Sequence, residues 1–357
     1  MKKQPSEPPY FLGRPFSPLY ALAMKIRANL YRRRVLTTHH FNVPVISVGN
    51  LTMGGTGKTP LVIYLADLLR SRGYRPAVIS RGYKGTSRHE VNIVCDRTSL
   101  PVDAEHVGDE PYLIAERLRN VVVMTGKKRH LPCRAAIDDF GCNVLILDDG
   151  FQHLAVARSL DLVLFDADHF AGNSRVFPGG ELREPISALH RCDAFVLTGV
   201  TLDNQQRADA CAHLLTTRFA GKPVVRASRR YARFVRHEMS PSGPRSSVVD
   251  LADIPRPLSC FCAIARPERL TASLAALNIE ISAFTCFTDH HRISENELAA
   301  LTEKAVASGA KGLLTTEKDM TKLKRLVPSA TLPIFVPILE IPDNRQLNEL
   351  VFGALKS

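Results

Sequence analysis

At 357 residues, 45% of them hydrophobic and 23% charged, the chain carries enough apolar material for two lobes with cores of their own, which excludes a disordered or fibrous protein. Its 47 Lys and Arg against 35 Asp and Glu leave a formal charge of +12, so an anionic partner is expected: nucleic acid, an anionic membrane surface or a phosphorylated substrate. No zinc-finger, RNP-type or basic-zipper pattern accompanies the charge, no CxxC pair occurs among the eight cysteines, and no secretory signal or membrane-spanning run is visible.

These features point to a protein of a reducing cytoplasm, one that touches a membrane at most, with no nucleic-acid partner and no obligate protein partner. Residues 1–16 are Pro-rich and expected to be irregular. Ser17-Pro18 then has the form of an N-cap followed by Pro at the first helical position. Leu19, Leu22, Ala23, Ile26 and Leu30 follow at helical spacing and make one apolar stripe, with Lys25, Arg27 and Arg32 to Arg34 supplying positive charge. Two readings of this helix stay open: it lies in a membrane interface, or it is a surface helix packed on the core.

Beyond it, apolar strands alternate with helices. Strands are expected at Val43–Val48, Ala77–Ser80, Val121–Met124, Val144–Leu147, Leu162–Phe165 and Ala194–Leu197, with helices such as Pro60–Ser71 and Pro111–Arg119 between them. That alternation predicts an α/β fold, a P-loop NTPase-like parallel sheet core covered on both faces. From about residue 225 the texture changes. Arg229-Arg230-Tyr231 and the Pro/Gly/Ser-rich Ser240–Ser247 are expected as linker and loop. A second, smaller α/β lobe then takes strands at Phe261–Ile264, Ser282–Phe287, Gly312–Thr315 and Ile334–Ile338, with helices near Pro267–Leu277 and Glu295–Ser308. The expected domains are 1–35 (basic amphipathic helix), 36–225 (nucleotide-binding core), 226–345 (smaller lobe) and 346–357 (C-terminal tail).

The most informative motif follows the first strand. Gly54-Gly55-Thr56-Gly57-Lys58-Thr59 is a phosphate-binding loop, although Thr52 stands where a strict Walker A motif has Gly, and Met53 where the deviant form has Lys. The chemistry survives both departures. Glycines let backbone N–H groups curl around phosphate oxygens ahead of a helix N-terminus; Lys58 reaches the β- and γ-phosphates and the Thr59 hydroxyl ligates Mg²⁺. Val144–Leu147 runs into Asp148-Asp149-Gly150-Phe151-Gln152-His153, a strand ending in paired carboxylates as in Walker B, although Asp-Asp-Gly is also good turn chemistry. Gly108-Asp109-Glu110-Pro111 opens a helix. Its acids either complement the helix dipole or supply a carboxylate base facing the γ-phosphate. In the smaller lobe, Asp289-His290-His291-Arg292 pairs a His with an Asp, the pattern of a tuned general base or of a solvated surface.

Taken in order, Asn50–Pro60, Ser80-Arg81-Gly82-Tyr83, Gly108–Pro111, Asp148–His153, Leu182-Arg183-Glu184-Pro185, Asp289-His290 and Thr315-Thr316-Glu317-Lys318-Asp319 resemble the tetraacyldisaccharide 4′-kinase family of lipid A synthesis. The resemblance runs from about residue 15 to 345. It implies transfer of the ATP γ-phosphoryl group, with Mg²⁺, to the 4′-hydroxyl of a glycolipid disaccharide 1-phosphate. The enzyme would be peripheral on the cytoplasmic face of the bacterial inner membrane, where the N-terminal helix meets an anionic surface. It further implies Asp109 as catalytic base, supported by His290 from a closing second lobe, with His291 an open alternative. Lys58 and Thr59 would hold phosphates and metal, Asp148 and Asp149 would act at the metal and the γ-phosphate, and Tyr83, Glu110, His153 and Arg183 would be further active-site or acceptor contacts. The segment 260–267 lacks the family's usual Gly. A membrane-cycling deviant P-loop ATPase switch is the alternative function; Met53 in place of the signature Lys argues against it.

Overall fold

The computed structural model describes residues 10–241 and 243–356, which divide into two compact units, residues 10–229 with 341–356, and residues 230–340. In the first unit the strands are β1 Val45–Asn50, β2 Pro76–Ser80, β3 Asn92–Asp96, β4 Val122–Thr125, β5 Val144–Asp148, β6 Leu160–Asp166, β7 Ala194–Thr198 and β8 Val224–Ala227. They form one sheet in the order β3-β4-β2-β5-β1-β6-β7-β8, parallel except for the antiparallel edge strand β3.

Strand periodicity explains why this sheet is covered twice. Ile46, Val48, Val78 and Ile146 face one core with Leu61, Leu65 and Leu69 of the helix Lys58–Ser71. Their neighbours Val45, Ala77, Ile79, Leu145 and Leu147 face another, closed by Cys133 and Ala136 of the helix His130–Asp138. β1 is buried along its whole length, so the loop that leaves it starts from a fixed point.

In the second unit the strands are β9 Arg230–Ser240, β10 Gly243–Val249, β11 Leu258–Cys262, β12 Ile281–Cys286, β13 Leu313–Leu314 and β14 Ile334–Glu340, in the order β10-β9-β14-β13-β11-β12. Helices Pro267–Ala276, Glu295–Ala307 and Glu317–Leu323 complete it, the second opened by a capping box between Ser294 and Glu297.

Three expectations need correction. The stretch around Arg230-Tyr231 and Ser240–Ser247, expected as linker and loop, is an antiparallel hairpin of β9 and β10. Its turn composition misled because β10 is a half-exposed edge strand, where polar residues and Pro244 are tolerated. Residues 10–16, expected irregular, are helical as Tyr10–Gly13 and Arg14–Phe16, Pro15 sitting in a first turn where a missing N–H costs nothing; residues 1–9 lie outside the described residues. The C-terminal tail is instead the helix Arg345–Ala354. Asn344 caps it by accepting from Leu347 N, and Leu347 and Val351 are buried in the first unit's core.

Candidate active site

In the first unit the functional segments gather at the carboxyl ends of parallel strands, where an open α/β sheet binds its ligands. The chain leaves β1 through Asn50 and turns into the helix Lys58–Ser71 at Gly57, whose φ of 83° is left-handed backbone that suits glycine. The helix therefore begins at Lys58, and its first N–H groups open toward the loop. The loop is braced from β7, where Thr198 Oγ1 donates to the Thr56 carbonyl at 2.6 Å. A Cβ on Gly55 would meet nothing within 4 Å, so the fold has no need of glycine there.

Asp148, at the end of β5, and Asp149, just beyond it, are adjacent in sequence but shifted in opposite directions by their surroundings. Asp149 turns into left-handed backbone (φ 51°) and presents its carboxylate to two cations. Arg183 Nη1 donates to its two oxygens at 2.9 and 2.7 Å, and Lys58 Nζ lies 3.4 Å from Oδ1. Burial pushes this carboxyl up, but Lys58 and Arg183 outweigh it and hold the group well below the usual carboxylate range. Asp148 is buried; Ser80 Oγ donates to its Oδ2 at 3.0 Å, while its Oδ1 has no hydrogen-bond partner. Burial, with the nearby charges of Glu110 and Asp149, pushes its pKa up to about 6. One carboxylate is thus a permanent anion, and the other is short of a cation.

Lys58 Nζ also bonds Asn50 Oδ1 at 3.0 Å. Glu110 stands with Asp109 in the first turn of the helix Asp109–Arg117. The N-cap there is Gly108, with φ 96°, and no side chain makes a cap bond, so Asp109 is not the N-cap. A Cβ on Gly108 would fall 2.4 Å from the Tyr83 carbonyl, so glycine lets the Ser80–Tyr83 segment lie directly against the start of this helix. The Tyr83 side chain is exposed. His153 is half-buried; burial, with Arg129, Arg158 and Arg27, pushes it down to about 3, leaving a neutral imidazole at physiological pH.

His290 belongs to the second unit. It has left-handed backbone, its Nε2 is 3.2 Å from Lys318 Nζ and 3.8 Å from Asp289 Oδ2, and Lys318 is 3.6 Å from Asp289. The neighbouring His291 is engaged elsewhere, stacked on Phe287 and bonded to Glu297 at 3.0 Å. Thr316 caps the helix Glu317–Leu323 by accepting from Asp319 N, which gives Thr315–Asp319 a structural task.

The helix Ser17–Arg32 has no buried residue, and most of its stripe points away from the protein: Leu19, Leu22 and Ile26 are 68, 53 and 50% exposed, and only Leu30 at its end is partly covered. The opposite face packs. Ser17, Tyr20, Ala21, Met24, Arg27, Ala28 and Tyr31 recur at helical spacing and are all partly covered. Ser17, expected as an N-cap, makes no cap bond; its hydroxyl donates to Val176 O and accepts from Gly179 N.

The tetraacyldisaccharide-1-P 4′-kinase (LpxK) family model matches residues 10–355. The chain belongs to that family. It is 44% identical to the tetraacyldisaccharide 4′-kinase of Desulfotalea psychrophila over 98% of its own length and 97% of the relative's, and 38% identical to that of Syntrophus aciditrophicus over 96% and 92%. The crystal structure of LpxK from Aquifex aeolicus in complex with ATP superposes with a TM-score of 0.73 at 30% identity, covering 96% of this chain and 98% of that one. Family membership makes the chain an ATP-dependent kinase and sets aside the ATPase switch.

Several groups around the two carboxylates had no role assigned from the sequence. Arg129 is buried and donates to the Asp149 carbonyl at 2.9 Å. Its signal was its position, just past the carboxyl end of β4 among Lys127 and Lys128. Asn50 and Ser80, which open two of the motif strings without an assigned role of their own, hold Lys58 and Asp148 respectively.

Proposed function

We propose that this kinase transfers the γ-phosphoryl group of ATP to the 4′-hydroxyl of a tetraacyldisaccharide 1-phosphate, working as a peripheral enzyme on the cytoplasmic face of the inner membrane. The observation that carries the reading is the pair of strand-end carboxylates, shifted in opposite directions by their surroundings, beside a phosphate-loop lysine. Backbone N–H groups of Gly54 to Thr59 and the Lys58 ammonium hold the triphosphate. Asp148 and the Thr59 hydroxyl would hold Mg²⁺, and the unpartnered, buried Asp148 Oδ1 fits a hard cation that takes oxygen ligands and completes its shell with phosphates and water. Such an ion would supply charge neutralisation on the β- and γ-phosphate oxygens.

Asp109, at a helix start where an anion is favoured, takes the proton of the acceptor hydroxyl. Asp149 keeps Lys58 and Arg183 aligned toward the γ-phosphate. Glu110, Tyr83, His153 and Arg183 are proposed as acceptor contacts, the exposed Tyr83 ring suiting a sugar face. His290 is proposed as a further catalytic residue.

The outward stripe Leu19, Leu22 and Ile26, with Lys25 and Arg32 to Arg34 beside it, suits an anionic lipid surface: apolar side chains enter the acyl boundary while the cations meet headgroups. No described helix is long and apolar enough to cross a membrane. The test is incubation with γ-labelled ATP and a tetraacyldisaccharide 1-phosphate. Label on the lipid is the expected result, and label released only as inorganic phosphate would overturn the acceptor assignment.

A further inference from the structure

The helix that carries the outward apolar stripe is also fastened, by its other face, to the two segments that hold the phosphate-loop lysine and Asp149. Arg27 donates both guanidinium nitrogens Nη1 and Nη2 to the Gln152 carbonyl, each at 3.1 Å. The Gln152 side chain in turn donates Nε2 to the Asn50 carbonyl at 2.9 Å, and Asn50 Oδ1 accepts from Lys58 Nζ at 3.0 Å. A second tether runs in parallel. Tyr20 OH donates to the Arg183 carbonyl at 3.2 Å, and the Arg183 side chain is the one that clamps Asp149. A third, from Ser17, anchors the helix start to the 176–179 segment.

Anchoring alone does not require this arrangement. A helix that only delivered an apolar stripe to lipid would need packing against the body, not a charge-assisted double hydrogen bond onto a carbonyl two bonds removed from the phosphate-loop lysine. The stripe residues and the tether residues also alternate on opposite faces, so one rigid helix presents both. We propose that Arg27 and Tyr20 are positioning residues for phosphoryl transfer: through the Gln152 and Arg183 backbones they set the placement of Lys58 and of the Asp149–Arg183 pair. The helix is thereby part of the active-site scaffold and not only its lipid anchor. The proposal rests on the kinase activity and is independent of the docking reading.

The decisive measurement uses the full chain with detergent-dispersed tetraacyldisaccharide 1-phosphate, alongside cosedimentation with phosphatidylglycerol–phosphatidylethanolamine vesicles. Arg27→Ala is expected to lower kcat by about tenfold or more, because small displacements of positioned groups are costly in rate. Its KM for ATP should stay within about threefold and its vesicle binding at the wild-type level, a split that general loosening of the fold would not give. Arg27→Lys, which keeps a cationic donor for the Gln152 carbonyl, should recover part of the rate. Tyr20→Phe, which removes one oxygen, should lower kcat by a smaller factor. Unchanged kcat for Arg27→Ala in detergent overturns the proposal, as does a loss seen only with vesicles and only in proportion to lost binding. Should Arg27→Ala melt early, Tyr20→Phe decides, and wild-type kcat in that variant overturns the positioning role.

Discussion

Asp148 should be a residue the folded protein would be more stable without. Its carboxyl is buried, one oxygen lacks a hydrogen bond, and its pKa stands at about 6 against 3.8 for an ordinary aspartate. The folded state therefore binds the proton more tightly than the unfolded state, and stability is lost as pH rises from about 4 through 6. A shift of about 2 units corresponds to about 3 kcal/mol at pH 7, largely the cost of keeping an underpaired carboxylate out of water. Asp148→Asn keeps the shape and the Ser80 bond and removes the charge. The expected result, from thermal melts in buffer without nucleotide or divalent ion, is a gain of about 3 kcal/mol at pH 7 that shrinks below about 1 kcal/mol by pH 4. With ATP and Mg²⁺ added the order should reverse, since binding stabilises whichever protein it favours, and turnover should be lost. A variant no more stable than wild type at pH 7, or a gain that does not change with pH, would refute the electrostatic reasoning.

Asp109→Ala should lower turnover by roughly 10²–10⁴-fold, the range of a lost general base, with ATP affinity largely kept; near-normal turnover means the base lies elsewhere. His290→Ala should lower kcat without moving the melting of the first unit, as read by calorimetry and steady-state kinetics. Gly108→Ala forces a Cβ to within 2.4 Å of the Tyr83 carbonyl at a φ of 96°, so a loss of about 1–3 kcal/mol in stability and a fall in kcat are expected together. Leu22→Ser with Ile26→Ser should weaken vesicle binding, and raising ionic strength should weaken it further through the basic flank; cosedimentation at two salt concentrations reads both.

What the sequence made legible follows from where burial is uniform. β5 and β7 are buried on both faces, so they read as near-continuous apolar runs that end close to the observed bounds; β1 is buried as fully, but its Ser47, Gly49 and Asn50 shift its apparent range toward Val43. β3 and β10 are half-exposed edges, and their mixed polarity hid them. The 225–247 stretch was the costliest case: Ser, Pro and Gly mark a turn equally well when it joins two strands of a hairpin, and only the pairing with β10 and β14 reveals that β9 is a strand. The C-terminal helix was hidden by its shortness, although Asn344 three residues before Leu347 is an N-cap signature.

At the site, the phosphate-loop and Asp148–Asp149 strings were legible because their chemistry needs particular residue types at fixed spacing. The tasks of Arg129, Asn50 and Ser80 were not, because the group each one holds (the Asp149 carbonyl, the Lys58 ammonium and the Asp148 carboxylate) is brought to it by the fold and not by neighbouring residues. The N-terminal helix shows the limit most plainly. Periodicity establishes that Leu19, Leu22 and Ile26 share a face, but an apolar face and a polar one are each able to pack inward, and hydropathy alone favours burying the stripe. Here the face that carries Tyr20, Ala21, Met24, Ala28 and Tyr31 packs inward, and Ser17, Tyr20 and Arg27 on it each find a backbone carbonyl on the body. Hydrogen bonds from Ser17, Tyr20 and Arg27, the last of them charge-assisted, fix this face against the body and leave Leu19, Leu22 and Ile26 turned toward the lipid surface proposed above. The orientation of the helix is thus itself an argument for a lipid surface, and it comes from contacts that no window of sequence contains.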